Sequence, residues 1–510
     1  MSVELFIQKP WHASTIHSAY ADSFLHMRPA PEYANGEVVL AATYRQLSSK
    51  GSQVSESTVP RHGRAFAKRL EKGKRPKNSV PDSGVTAEDW SQIITGTLRS
   101  PKQPNQASKR FLQISPVVPD ATIYSLSARL SSNSWNPGAL VAKLVQFGSP
   151  TIASAQELWN ELFLALDVGG QDDLWSRFLT KEFASWREPD QLLFYKEPST
   201  LESEESVFGW HEDPEEIPAQ QFVSDLKSIV QLKRHLTRRQ WISMLESVLR
   251  LGCASQVMWV SSVNSAVFEA ILRVTKGENP SKASEKIRFY SNPLRYGQYT
   301  ASSINDIATS FVKSRLGINL MLHQIEDKLG GTSLEGALRN FSSIEKLLQQ
   351  IADVFDSEDF RNFRQNYQSV LESDNRIISG QKGISSNVKE FLRHVLGQRQ
   401  TSEPGLDSYD QGYFLAKRGV HSKARWEVSM GPVAVLSLVH ACAHGRVGST
   451  NVDDFCRHIE RYGITIEIED LSSSSLGTTL RNLGLILDSP DAEGGMVIVS
   501  PFESIYNADS

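Results

Sequence analysis

The sequence predicts a mainly α protein: a multi-domain helical body followed by a C-terminal winged helix-turn-helix with a small β-hairpin wing. Three observations carry this. From about residue 219 to 400, apolar residues recur at helical spacing between capping signals. From 428 to 502 the pattern changes to helix, helix, strand, helix, hairpin. The 510-residue chain is 40% hydrophobic and 22% charged, which is ordinary globular usage with room for several cores.

The expected organisation has three parts. Residues 1–135 form a mixed N-terminal region with a basic segment. Residues 136–400 form the helical body, with an acidic insert near 198–218. Residues 413–510 form the winged-helix domain. Near the N-terminus, Val38–Thr43 reads as a strand. Residues 49–120, rich in Ser, Pro, Lys and Arg, read as irregular. Helical patterning begins near 138, and Ser154 with Glu157 suggests a capping box. Trp175, Phe178 and Phe183 mark a further amphipathic stretch. The run Glu202, Glu204, Glu205, Glu212, Asp213, Glu215 and Glu216 reads as a solvated insert.

In the body, Thr237 and Gln240 suggest a second capping box, and Gly252 is placed to end that helix. Gly330 and Gly331 end another. Thr332 with Glu335 and Ser342 with Glu345 are expected to open the next two. Ile344, Leu347, Leu348, Ile351, Val354 and Phe355 keep the spacing of one buried helix face. Residues 399–412 lose the apolar period and read as a linker.

The C-terminal elements follow from local chemistry. Gly431-Pro432 starts a helix, since proline is tolerated in a first turn. Thr450 is expected to cap a second helix, with Asp453 and Asp454 at its positive end and Arg457, His458 and Arg461 at its negative end. Gly463 stops it. Ile464, Ile466 and Ile468 alternate as in a half-buried strand. Leu476, Leu480 and Leu483 carry a third helix, ended by Gly484. Leu485–Leu487 and Met496–Val499 read as two strands joined by the turn-rich DSPDAEGG.

The third helix would expose Thr478, Thr479, Arg481 and Asn482. Reading duplex DNA with that face requires neighbouring cations to neutralise phosphates. From Ile464 to Ser510 there are eight acidic residues and one basic residue, Arg481. We therefore read these four positions as partner-binding. Positive charge concentrates elsewhere: Arg61, Arg64, Lys68, Arg69, Lys72, Lys74, Arg75 and Lys77 surround a single acid, Glu71. On a helix, Arg64, Lys68 and Lys72 share a face suited to a nucleic-acid backbone, or to the acidic run at 202–216. A plain solvated charge run fits the same residues. Lys233, Arg234, His235, Arg238 and Arg239 form a second cluster at a helix junction.

Catalytic signatures are lacking: no Walker A, HExxH, GxSxG or Rossmann fingerprint occurs. Asp225-Leu226-Lys227 fits the end of a nuclease D-x-K motif, but within a helical pattern. His440, Cys442, His444, Cys456 and His458 have zinc-ligand chemistry but poor convergence, so no metal and no cofactor are expected. Three cysteines, Cys253, Cys442 and Cys456, are too few for a disulfide framework. With no signal-peptide pattern and no long apolar run, the expected setting is cytoplasmic without membrane contact.

The C-terminal stretch LVHACAHG…DDFCRHIERYGITIEIEDLSSSSLGTTLRNLGLILDSPDAEGGMVIVSPF resembles the C-terminal winged helix of large accessory proteins from bacterial anti-phage islands linked to DNA methylation or phosphorothioation. The resemblance spans about the last 75 residues and rests on RYGI, LRNLGL and the DSPDAEGG hairpin. It implies a non-catalytic subunit acting beside ATPase or nuclease partners, and it transfers no catalytic residue. Three functions stay in play: an interaction subunit of such a DNA-targeting defence complex, a winged-helix DNA-binding regulator, and an enzyme whose site is assembled from distant residues.

Overall fold

The computed structural model describes residues 3–27, 36–49, 86–98, 116–124, 137–184, 197–201, 217–285, 293–399, 409–419, 424–444, 449–467, 474–487 and 496–502. The basic run at 61–77 and the acidic run at 202–216 lie outside them.

The described chain is mainly helical. Two short N-terminal helices, α1 (Val3–Gln8) and α2 (Ser18–Ala21), precede α3 (Gly36–Ser49). Next come α4 (Ala87–Leu98), α5 (Pro137–Gly148), α6 (Ile152–Leu166) and α7 (Leu174–Ala184). The body continues through α8 (Pro218–Gln231), α9 (Arg238–Val274), α10 (Pro280–Ser284) and α11 (Ala301–Lys328). It closes with α12 (Phe341–Val354), α13 (Ser357–Glu372), α14 (Asn375–Ile378) and α15 (Gly383–Leu396). The last stretch carries α16 (Pro432–Ala443), α17 (Val452–Glu460) and α18 (Ser475–Asn482).

Strands are short. In chain order they are β1 (Leu294–Arg295), β2 (Leu415–Arg418), β3 (Arg425–Val428), β4 (Thr450–Asn451), β5 (Ile464–Thr465), β6 (Ile486–Leu487) and β7 (Val497–Ile498). β2 and β3 form an antiparallel pair, and β4, β7 and β6 form an antiparallel sheet in that order.

Helix α9 is the axis of the molecule. Most of its 37 residues are buried, the position of a helix surrounded by others. It lies against α3, α8, α11, α15 and α16. By length and composition it is able to cross a membrane, yet 78% of its apolar window is buried inside the protein. One contiguous apolar core runs from Phe6 to Ile498, and α16 enters it by packing on α8 and α9. The segment expected as a separate C-terminal domain thus shares its core with the body.

Several local expectations change for identifiable reasons. The 38–43 run is helical: Val38–Ala42 is buried on all sides within α3, and a short apolar run cannot distinguish strand from buried helix. Residues 87–98, expected as irregular, form α4, whose Trp90 is buried and donates to Glu182 at 2.7 Å. Thr151 rather than Ser154 caps α6, with Ser154 three residues on completing the box. Thr237 and Gln240 do form theirs. Asn340 opens α12, and no helix starts at 332–335. Asn451, not Thr450, caps α17.

Gly252 does not end a helix. α9 runs through it, and a Cβ there would meet the Phe222 ring at 2.3 Å. The glycine is a notch for α8. Helix α5 is held by the same device at both ends. A Cβ on Gly138 would lie 2.2 Å from the Ala42 carbonyl oxygen of α3, and one on Gly148 would lie 2.0 Å from that of Ala219 in α8. Alanine is normally the better helix former by about 1 kcal/mol. Here Gly138→Ala is expected to destabilise by about 1–3 kcal/mol, because the collision is with backbone. An unchanged or raised urea midpoint for that variant would contradict the close approach.

The supposed linker also carries structure at both described ends. Arg250 is fully buried and donates to the carbonyls of Val395 and Gly397, each at 2.7 Å, and to Asp410 Oδ1 at 2.9 Å. Arg399 reaches Glu246 at 3.0 Å, Asp410 at 3.3 Å and Glu37 at 3.5 Å, and stacks over the Tyr409 ring. Residues expected to be a linker instead place a charge network against α3 and α9.

Candidate functional site

The partner-binding positions sit on α18. Ser474 accepts the Gly477 N–H and so starts the helix, while Leu476 and Leu480 face inward. Thr478, Arg481 and Asn482 are exposed and Thr479 is half-buried. Thr478 Oγ1 donates to the Ser474 carbonyl at 3.1 Å, and Thr479 Oγ1 to that of Ser475 at 2.9 Å. Both hydroxyl protons are therefore spent on the helix's own backbone. What the face offers outward is methyl groups, the ends of Arg481 and Asn482, and the neighbouring Leu483, 39% exposed.

Elsewhere in the same stretch, a buried cluster fixes α17 to the body. Asp225 of α8 is fully buried. Its Oδ2 accepts from His458 Nε2 at 2.9 Å and from the Tyr462 hydroxyl at 2.7 Å, and Oδ1 accepts from Gln221 at 2.7 Å. Burial pulls the His458 imidazole down. The Asp225 carboxylate outweighs this, and a hydrogen bond with Cys442 adds to it, so His458 is pushed up to about 9. At neutral pH His458 is an imidazolium facing Asp225.

Cys442, His458 and Asp225 have the chemistry of a nucleophile, a base and an orienting acid. Cys442 and His458 are only 2% and 3% exposed and Asp225 is closed off entirely. A substrate has no route to the sulfur in this arrangement, and the cluster acts as an anchor.

The D-x-K and zinc-like sets are thereby accounted for. Asp225 lies within a helix and is satisfied by side chains rather than placed with a second acid. The five zinc-type residues are divided among different partners, His458 with Cys442 and Asp225, and His440 beside His444 at 5.5 Å between ring centroids. His440 pairs with Ser500 at 3.2 Å and meets the Phe502 ring edge-on, and burial lowers it to about 4. Burial pushes the Cys456 thiol up to about 11. His458 turns to Asp225. The second basic cluster is likewise internal in part: Arg238 donates to Tyr44, to the carbonyls of Val117, Leu166 and Asp167, and to Asp172. Lys233 reaches Asp172 at 3.3 Å.

Sequence reasoning named Asp225 and His458 separately and did not join them. Residues 233 positions apart leave no local signal of their meeting. The expected strand at 464–468 is described only as β5, which pairs in parallel with β1 of the body, Leu294 opposite Ile464. No protein-family model, curated protein or solved structure matches this chain.

Proposed function

We propose that this protein is a non-catalytic scaffold whose residues 432–502 form a winged helix that docks a partner protein, as one subunit of a DNA-targeting anti-phage complex. The observation that carries the docking reading is the outward face of α18. Thr478, Arg481 and Asn482 are solvent-facing, and in sequence the face sits in a stretch with eight acids to one base. The winged-helix reading is supported by α16 touching both α17 and α18, and by the antiparallel β6–β7 pair that follows α18. The anchoring of α17 to the body through Asp225, His458 and Tyr462 suits a stretch that must keep its orientation. By sequence alone, the excess of acids over bases from 464 to 510 would favour a partner with a basic surface. The defence setting rests on the C-terminal resemblance alone.

A photo-crosslinking residue at Asn482 in the native host tests the docking face, with the same residue at the exposed Leu164 as control. The expected result is one protein product from position 482, lost on Arg481→Glu, and none from 164. A duplex-DNA product at 482, weakened by salt and lost on Arg481→Ala, would replace docking by the DNA-binding regulator. The basic run at 61–77 supplies a separate DNA contact in this reading. Its test is a salt series on duplex DNA with Arg64, Lys68, Arg69 and Lys72 changed to alanine. Binding that falls with salt and disappears in the variant is expected. No binding at low salt would remove DNA contact from the proposal.

A further inference from the structure

A second titratable cluster lies far from α18, where the N-terminal segment crosses α11. His323 and Glu326 are one turn apart on α11, and His17 comes to them from the segment before α2. His17 and His323 are buried, with ring centroids 4.9 Å apart and ring planes at 66°, and Glu326 forms the partly open side. One donor atom from each of the three residues lies within 4.8 Å of the others.

We propose that His17 Nε2, His323 Nδ1 and the Glu326 carboxylate bind one divalent cation of the zinc class. The hydrogen bonding selects these atoms. His323 Nε2 lies 2.9 Å from the Thr15 carbonyl, which only accepts, so the ring proton is on Nε2 and Nδ1 carries a lone pair. A ring N–H held by a backbone carbonyl is the usual outer support of a metal-binding histidine. His17 Nε2 is buried and 3.3 Å from Glu326 Oε2, yet makes no hydrogen bond with it. Two donors about 2.0–2.1 Å from one tetrahedral ion stand about 3.3 Å apart without pointing at each other. Two imidazoles and a carboxylate are a donor set that zinc favours over calcium or magnesium.

The surroundings hold these ligands in place. Asn319 Oδ1, one turn before His323, accepts the His17 backbone N–H at 2.9 Å, and the Phe6 ring lies 5.2 Å from that of His323. Binding has one local cost. His17 Nδ1 accepts the Ala19 N–H at 3.2 Å, so with a cation on Nε2 the ring proton moves to Nδ1 and this contact is given up. Helix α2 is a single turn and adjusts. The ion staples the N-terminal segment to α11, and solvent on the Glu326 side completes its coordination.

The test uses the full chain, stripped with a chelator and titrated with cobalt(II) as the spectroscopic probe. Visible d–d bands saturating at one equivalent, displaced by one equivalent of zinc, are expected. Zinc should also raise the thermal midpoint of the parent protein. Glu326→Gln keeps the shape of the site and should weaken cobalt binding at least tenfold. His323→Ala should abolish it, and the exposed His12→Ala should leave it unchanged. No saturable bands, or bands that persist in Glu326→Gln with its fold verified by circular dichroism, would overturn the proposal. The three side chains would then be a packing contact only.

Discussion

Replacing Arg250 with alanine is expected to lower unfolding stability by about 3–5 kcal/mol, the range for breaking a buried ion pair by removing one partner. The side chain has no solvent exposure and three directed bonds, two to carbonyls and one to Asp410. Around it, three carboxylates (Glu37, Glu246 and Asp410) face two guanidinium groups. Burial raises Glu246, while Arg250 and Arg399 outweigh the burial of Asp410 and hold it below its ordinary range. Without Arg250, Arg399 alone balances the cluster. Arg250→Lys should recover little, because an ammonium cannot reach the Val395 and Gly397 carbonyls and Asp410 in one planar fork. Urea unfolding of both variants measures this. A loss below about 1 kcal/mol for the alanine variant would mean the network is solvated.

Changing His458 to alanine should cost a similar 3–5 kcal/mol near pH 6, by leaving Asp225 buried without its cation. Here the pH dependence is the sharper test. The folded-state value is raised from 6.5 to about 9. A raised value means the folded state holds its proton more tightly than the unfolded chain. The stabilisation is therefore complete below about pH 6.5 and is lost as pH rises through 9. Two and a half pH units correspond to roughly 3 kcal/mol. The gap between parent and His458→Ala should narrow steadily across that window. A gap constant from pH 6 to 9.5 would show that His458 is neutral in the folded protein.

What was legible in the sequence was whatever local chemistry decides. The Thr237–Gln240 box, the glycine pair at 330–331 and the buried stripe Ile344–Leu347–Leu348–Ile351 each depend on residues within a few positions. The order of the C-terminal elements was readable for the same reason. Reading failed where a distant partner decides the outcome. Gly252 looks like a helix stop until Phe222 occupies the space above it. Arg399 and Asp410 look like linker residues until Arg250 and Glu246 meet them. On α11, His323 and Glu326 gave no signal of a site, because His17, 306 residues before His323, is what completes it. Among the candidate residues, the four on α18 fall on the described surface, and the basic run lies outside the described residues.

The seating of α16 against α8 and α9 has a consequence for how the chain is made. Helix α9 ends at residue 274 and α16 begins at 432. At about 5–20 residues per second, synthesis leaves one flank of the central helix without its cover for on the order of ten seconds. During that interval the nascent chain presents apolar surface that the finished protein hides. A product terminated before residue 432 would keep it presented indefinitely. Such fragments should collect on chaperones or aggregate, so the final stretch of translation decides whether the earlier part stays in solution.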